Sequence, residues 1–109
     1  MDCQQVRISF SAEPGHCTLR LGGALGVPCA DELRQSAMEL LDYQKDVLVD
    51  WSGVTQIDAS IAQVLLSLRA GLVELNRTLL SAPGISAAVQ NWLQTAGLWR
   101  LLGTPEPEI

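Results

Sequence analysis

Few side chains in this sequence are of a type and spacing that could do chemistry. The single histidine, His16, directly follows the turn-forming run Glu13-Pro14-Gly15. A general base needs a nucleophile within hydrogen-bond reach, so a lone histidine in a turn reads as a solvated residue. The three cysteines, Cys3, Cys17 and Cys29, are odd in number, widely spaced and without a C-x-x-C pair. That pattern supports neither a disulfide framework nor a metal site, and reads as reduced structural thiols. No G-x-S-x-G, Walker loop, G-x-G-x-x-G or H-E-x-x-H occurs, so neither enzymatic activity nor a cofactor nor a metal is expected. The acidic pair Asp31-Glu32 falls at a predicted helix start, where negative charge suits the positive end of the dipole.

One stretch stands apart. Val47-Leu48-Val49 is a short apolar run; Asp50-Trp51-Ser52-Gly53 follows it; then Asp58 and Ser60 come just ahead of a strongly apolar segment. An aspartate in that place is a good helix N-cap, because its carboxylate accepts bonds from free backbone amides. Ser60 could support the same end. The same free amides and dipole also favour a phosphate on a nearby hydroxyl. Capping and phosphorylation or docking therefore both remain readings of Asp58 and Ser60.

The elements that must position these residues follow from periodicity. Val6, Ile8 and Phe10 alternate with Arg7 and Ser9, and Cys17, Leu19 and Leu21 alternate with Thr18 and Arg20, the pattern of two half-buried strands. The turn between them makes a hairpin, and Gly22-Gly23 predicts a bulge or bend. Pro28 to Tyr43 reads as a first helix with Leu33, Ala37, Leu40 and Leu41 on one face. Val47–Val49 reads as a strand buried on both faces, ended by a turn at residues 50–53. The second helix spans about Ser60 to Asn76, with Ile61, Val64, Leu65, Leu68, Leu72 and Leu75 as its core face. Thr78–Ser81 is a further short strand, Ile85–Thr95 a third helix stopped by Gly97, and Leu98–Leu102 a possible last strand. The order β-β-α-β-α-β-α predicts an α/β fold, a small mixed or parallel sheet with helices packed against it.

Composition bounds the function. The chain has 109 residues, 48% apolar and 17% charged, with a net charge of −5. This suits one domain, residues 1–103, with a tail at 104–109. Seven basic residues against twelve acidic ones, with no basic run, argue against phosphate neutralisation and so against a nucleic-acid partner. No apolar run approaches the roughly 20 residues that span a bilayer, and Met1–Gln5 lacks the regions of a signal peptide. A soluble, cytoplasmic protein without membrane insertion is expected. Much of the missing charge is missing from residues 57–73, where only Asp58 and Arg69 are charged. Such a neutral helix face suggests a protein partner.

Residues 47–68 resemble the STAS family, the domain shared by sulfate transporters and anti-sigma factor antagonists of bacteria. They reproduce its run of apolar residues, Asp-x-Ser-x-Val-x-x-Ile-Asp, small residues and an apolar helix. Leu21-Gly22-Gly23-Ala24-Leu25 and Ile85–Val89 with Thr95-Ala96-Gly97-Leu98 resemble two further family stretches, so the likeness covers about residues 4–103. It implies a STAS-like fold and a non-enzymatic switch. In soluble members a partner kinase phosphorylates the Ser or Thr directly after the motif aspartate, and the phosphate abolishes binding. Here that position is Ala59, the usual glycine is Ile61, and a position acidic in typical antagonists is Gly26. Ser60 is then the remaining phosphorylation candidate. The resemblance implies docking through Asp58, Ala59, Ser60, Ile61 and Ala62 with the second helix. The partner would be an anti-sigma factor or kinase-like signalling protein, of two-component or chemotaxis type. The alternative is a cytoplasmic STAS subunit of an ABC-type lipid transport complex, bound to its ATPase. Oligomeric state stays open, since Trp51, Trp92 and Trp99 could each serve a core or an interface; Trp92, on its helix's apolar side, is expected in the core.

Overall fold

The computed structural model describes residues 6–103; the expected tail at 104–109 lies outside them. The hairpin forms as its alternation demands. β1 (Arg7–Ala12) runs antiparallel to β2 (His16–Ala24), and the Glu13 amide donates to the His16 carbonyl at 2.7 Å to close the turn. The register sets Ile8 opposite Leu21, Phe10 opposite Leu19 and Ala12 opposite Cys17. Paired residues share a face, so the apolar half of both strands points one way.

β2 then pairs parallel with β3 (Asp46–Gln56), and β3 pairs parallel with β4 (Leu79–Ser81). The result is a mixed four-stranded sheet in the order β1-β2-β3-β4. β3 corrects the expected turn at residues 50–53, because the strand runs straight through them. The register explains why they looked like a turn. Arg20 faces Asp50 but Gly22 faces Gly53, and Gly23 faces Val54 but Ala24 faces Gln56. At each step β3 carries one extra residue, a pair of bulges lying where Gly22-Gly23 suggested one. Core-facing positions therefore fall at Val47, Val49, Trp51, Val54 and Ile57, all buried, with the spacing stretched from two to three. The expectation that Val47–Val49 is buried on both faces also needs correction: Leu48 is only half-buried. It lies in one row with Thr18 and Leu80 on the face opposite Val47 and Val49.

α1 (Val27–Tyr43) and α2 (Ala59–Glu74) cover the apolar face, burying Leu33, Ala37 and Leu40 from one helix and Ile61, Leu65, Leu68 and Leu72 from the other. Gly71 lets them close together, since a Cβ there would stand 2.9 Å from Leu41 Cδ2. Asp31 and Glu32 lie beyond the first turn of α1, which holds no acidic residue. This corrects their expected role at the dipole: the helix begins earlier, at Val27, with Pro28 in its first turn. Asp31 pairs with Arg34 at 2.5 Å on an exposed surface, where ion pairs contribute little.

α3 (Ala87–Thr95) starts two residues later than expected because Ser86 is its N-cap. The Ser86 hydroxyl accepts from the Val89 amide at 3.3 Å and donates to the Val54 carbonyl at 3.1 Å, tying the helix to the end of β3. Gly97, at φ 77°, stops α3 as its sequence suggested. The segment after it forms a π-helical turn, Trp99–Gly103, in place of the possible last strand. Leu98, Trp99 and Leu102 pack inward at helical rather than alternating spacing. Trp92 is only half-buried but packs against the core, as does Trp99.

Trp51 is buried at 1% exposure, and its indole N–H donates to the Ser81 hydroxyl at 2.9 Å. Ser81 in turn donates to the Leu102 carbonyl. One hydroxyl thus joins β3, β4 and the C-terminal turn inside the core. Ser81→Ala leaves a buried donor and a buried acceptor without it, and should cost about 1–3 kcal/mol. Urea denaturation should show this loss, against near-neutrality for Ser67→Ala on the exposed side of α2.

Candidate functional site

The site is built where β3 hands over to α2. Ile57 is buried at the strand end and anchors the turn. The next residue, Asp58, is extended (φ −133°) and caps α2. Its Oδ1 accepts from the Ser60 amide at 3.0 Å, the Ser60 hydroxyl at 2.6 Å and the Ile61 amide at 3.4 Å. The Asp58 carbonyl accepts from the Ala62 amide at 3.2 Å. Capping by Asp58 with support from Ser60, one of the two readings of these residues, is thus observed directly.

Of the five residues expected on a docking surface, the structure separates three from two. Ala59 is exposed, and Asp58 and Ser60 are half-buried at the surface. Ile61 and Ala62 are core residues at 0% and 2% exposure, which corrects their expected place on that surface. Their bulk and apolarity serve the α2–sheet interface: Ile61 and Ala62 are the third and fourth residues of a helix whose inner face begins there. The exposed residue one turn further along is Gln63.

A neighbour that periodicity did not reveal completes the site. Gly26, the N-cap of α1, offers no side-chain cap. A Cβ on it would stand 3.2 Å from Asp58 Oδ2, so the starts of α1 and α2 meet at Asp58. The Leu25 amide donates to the Gln56 carbonyl at 2.8 Å and locks the two loops together. Between them lies a hollow of about 200 Å³, lined by residues including Leu25, Gly26, Pro28, Cys29, Gln56 and Asp58. Its one sequence signal was a glycine standing where a side chain is usual.

The other candidates stay apart. His16 opens β2 and is half-buried. Cys17 and Cys29 are buried free thiols, and burial pushes the Cys17 thiol up. Among the described residues no group of three His, Cys, Asp or Glu could hold a metal, and no helix is long and apolar enough to cross a membrane. Asp50, on the sheet face away from α1 and α2, accepts from the Ser52 amide at 3.0 Å. That bond, the Ser52 hydroxyl and the nearby Arg20 hold its carboxyl below the ordinary range.

The model of a family described as "Mlab, STAS domain" matches residues 8–103. The chain belongs to the STAS domain family. Solved structures agree with this STAS fold at low identity. A Thermotoga maritima protein superposes with TM-score 0.78 at 14% identity, over 92% of this chain and 86% of its own. Unphosphorylated SpoIIAA, an anti-sigma factor antagonist, gives 0.76 at 14% identity, over 92% and 89%. An anti-sigma factor antagonist of Mycobacterium paratuberculosis gives 0.77 at 13% identity, over 98% and 92%. No protein of curated function matches the chain significantly in sequence.

Two outcomes follow from the hydrogen bonds of these two aspartates. Asp58→Ala should lose about 0.5–2 kcal/mol of stability, and Asp58→Asn less, because Asn caps as well as Asp; urea midpoints at pH 7 will separate them. Asp50, with its folded pKa depressed, stabilises fully above the ordinary aspartate range of about 4 and loses that contribution as pH falls through its folded value. The stability gap between wild type and Asp50→Asn should therefore narrow from pH 7 to pH 3.

Proposed function

We propose that this STAS protein is a non-enzymatic, cytoplasmic interaction module of the anti-sigma factor antagonist type. It docks on a signalling partner, an anti-sigma kinase or a two-component or chemotaxis protein. The observation that carries the reading is the turn Asp58-Ala59-Ser60. Three bonds to one carboxylate oxygen hold this surface turn in a single shape, with a nearly charge-free helix behind it. A preformed, weakly charged surface loses little entropy on binding and little desolvation energy. The buried Ile61 and Ala62 support this contact from beneath, while Asp58, Ala59, Ser60 and Gln63 meet the partner.

Ser60 is the candidate point of phosphate control. Its hydroxyl is the donor in the 2.6 Å bond to Asp58. A phosphate there would remove that donor and set about −1.5 to −2 charge against a carboxylate, which would disturb the turn and oppose docking.

A second reading has its own support. Ala59 carries no hydroxyl, and a contact without the usual acceptor suits a subunit that stays bound. This would be the cytoplasmic STAS subunit of an ABC-type lipid transport complex, resting on its ATPase.

The test is direct binding, by calorimetry, to the purified anti-sigma kinase, two-component and chemotaxis proteins and transporter ATPase encoded in the same genome. A complex with any of the signalling proteins supports the first reading, a complex with the ATPase alone replaces it with the second, and no complex with any of them overturns both. In whichever complex forms, Ala59→Glu should weaken affinity about tenfold or more, the scale of leaving a charge unpaired in an interface. Ser60→Ala should bind and Ser60→Asp should not; equal affinities would remove phosphate control at Ser60.

A further inference from the structure

β1 is an edge strand whose outer side is open. Among the described residues its one sheet neighbour is β2. The bond from the Glu13 amide to the His16 carbonyl makes these two a hydrogen-bonded pair. Bonded and non-bonded pairs alternate in an antiparallel ladder. Ser11 with Thr18, Ser9 with Arg20 and Arg7 with Gly22 are therefore the bonded pairs. Ile8, Phe10 and Ala12 turn their amides and carbonyls away from β2, towards the open edge. Edge strands are commonly blunted by a bulge, a proline or an inward-pointing charge. β1 has none of these: its register with β2 is unbroken, and it reads Arg-Ile-Ser-Phe-Ser-Ala. Ile8 and Phe10 lie on the face that the helices cover, yet both are only half-buried, since no strand lies beyond them. Tyr43, 45% exposed, meets Phe10 edge-on with ring centroids 6.0 Å apart and extends this apolar edge. The opposite edge, β4, is three residues long and joined to the C-terminal turn through Ser81, so it offers no comparable surface.

The other face of β1 carries opposite charges at its two ends. Arg7 is exposed and has no ion-pair partner among the described residues. Glu13 lies on the same face, because its Oε2 accepts from the Ser11 hydroxyl at 3.0 Å. Pro14 after it favours extended backbone at Glu13, and Lys45 holds the Glu13 carbonyl at 2.8 Å. We propose that the chain forms a two-fold homodimer through β1, joining two four-stranded sheets into one continuous sheet. With the axis at Phe10, Phe10 pairs with Phe10 and Ile8 with Ala12 of the second copy. These are the residues whose backbone groups are free. Ser9 then faces Ser11, and Arg7 faces Glu13 of the second copy, in non-bonded pairs where side chains approach most closely. Both ends gain an ion pair. With the axis at Ser9, Arg7 would face Ser11 and both ion pairs would be lost, so charge selects the register. The contact is isologous and consumes both open edges, so assembly closes at the dimer. It uses no residue of the Asp58-Ala59-Ser60 turn, which follows β3, two strands away, and it does not depend on the docking reading.

The test is sedimentation equilibrium of the full chain from about 10 μM to about 1 mM, the range in which a small interface is read. The expected result is a reversible monomer–dimer equilibrium. Arg7→Glu and Glu13→Arg should each weaken it about tenfold or more, because either reversal sets like charges face to face at both ends. The double variant, Arg7→Glu with Glu13→Arg, should restore it. Ala12→Pro should also weaken it about tenfold or more, since it removes an edge amide that β2 does not use. Thermal melting by circular dichroism confirms that the variants fold; should Ala12→Pro not fold, the charge variants decide alone. The inference is overturned if the wild type is monomeric throughout, which leaves the edge to a strand of another protein. It is overturned equally by a dimer indifferent to these changes, which must lie on another face, and by a double variant that stays monomeric, which excludes this register.

Discussion

Asp58 Oδ1 is the acceptor on which the rest of the site depends. A helix leaves its first amides without partners, and α2 begins at the point where the chain must leave the sheet and reverse. One oxygen satisfies two of those amides and a hydroxyl together. This fixes the direction of α2, and with it the burial of Ile61 and Ala62 and the exposure of Ala59. The same carboxylate lies against Gly26, so the entry of α1 is set in relation to the entry of α2. The candidate site is the surface expression of a folding solution: two helix starts brought to one carboxylate.

Behind that point the sheet supplies rigidity. Trp51, Ser81 and Leu102 join two strands and the C-terminal turn by buried hydrogen bonds, and Ser86 ties α3 to the end of β3. β3 is therefore held on its far side while its end presents Asp58. Flexibility in this region would spread the Asp58-Ala59-Ser60 turn over many shapes; the bonded core keeps it to one.

Much of this was legible in the sequence because it depends on local period and on residue type. The hairpin alternation, the core face of α1, most of that of α2, the glycine bulge, the Asp58 cap and the α/β class followed from such signals, and the STAS fold from the family resemblance; Leu75, expected on the α2 core face, is instead exposed at the helix end. The errors arose where a long-range pairing overrode a local one. Asp50-Trp51-Ser52-Gly53 has the composition of a turn, but pairing with β2 absorbs its extra residues as bulges and keeps the strand going. Leu98–Leu102 looked extended, but the bond from Ser81 to the Leu102 carbonyl belongs to a helical turn. Ile61 and Ala62 follow the motif aspartate and so appeared as contact residues, although the helix phase set by Asp58 turns them inward. The hollow was invisible because it depends on two residues 32 positions apart.

The paired bulges in β3 have a consequence for how this chain can vary. Up to Trp51 the core-facing residues come every second position; beyond it they come every third, at Val54 and Ile57. Side chains alternate between the two faces of a strand, and each bulge takes up one residue that has no partner of its own on β2. Removing one residue between Trp51 and Val54, or between Val54 and Ile57, would take out a bulge and restore plain alternation with Val54 and Ile57 still facing the core. The same deletion between Val47 and Trp51, where the register with β2 is unbroken, has no bulge to absorb it and would turn the core-facing residues on one side of it outward. Tolerance to a change of length is therefore concentrated in the second half of this strand, next to the candidate site, and not in its first half.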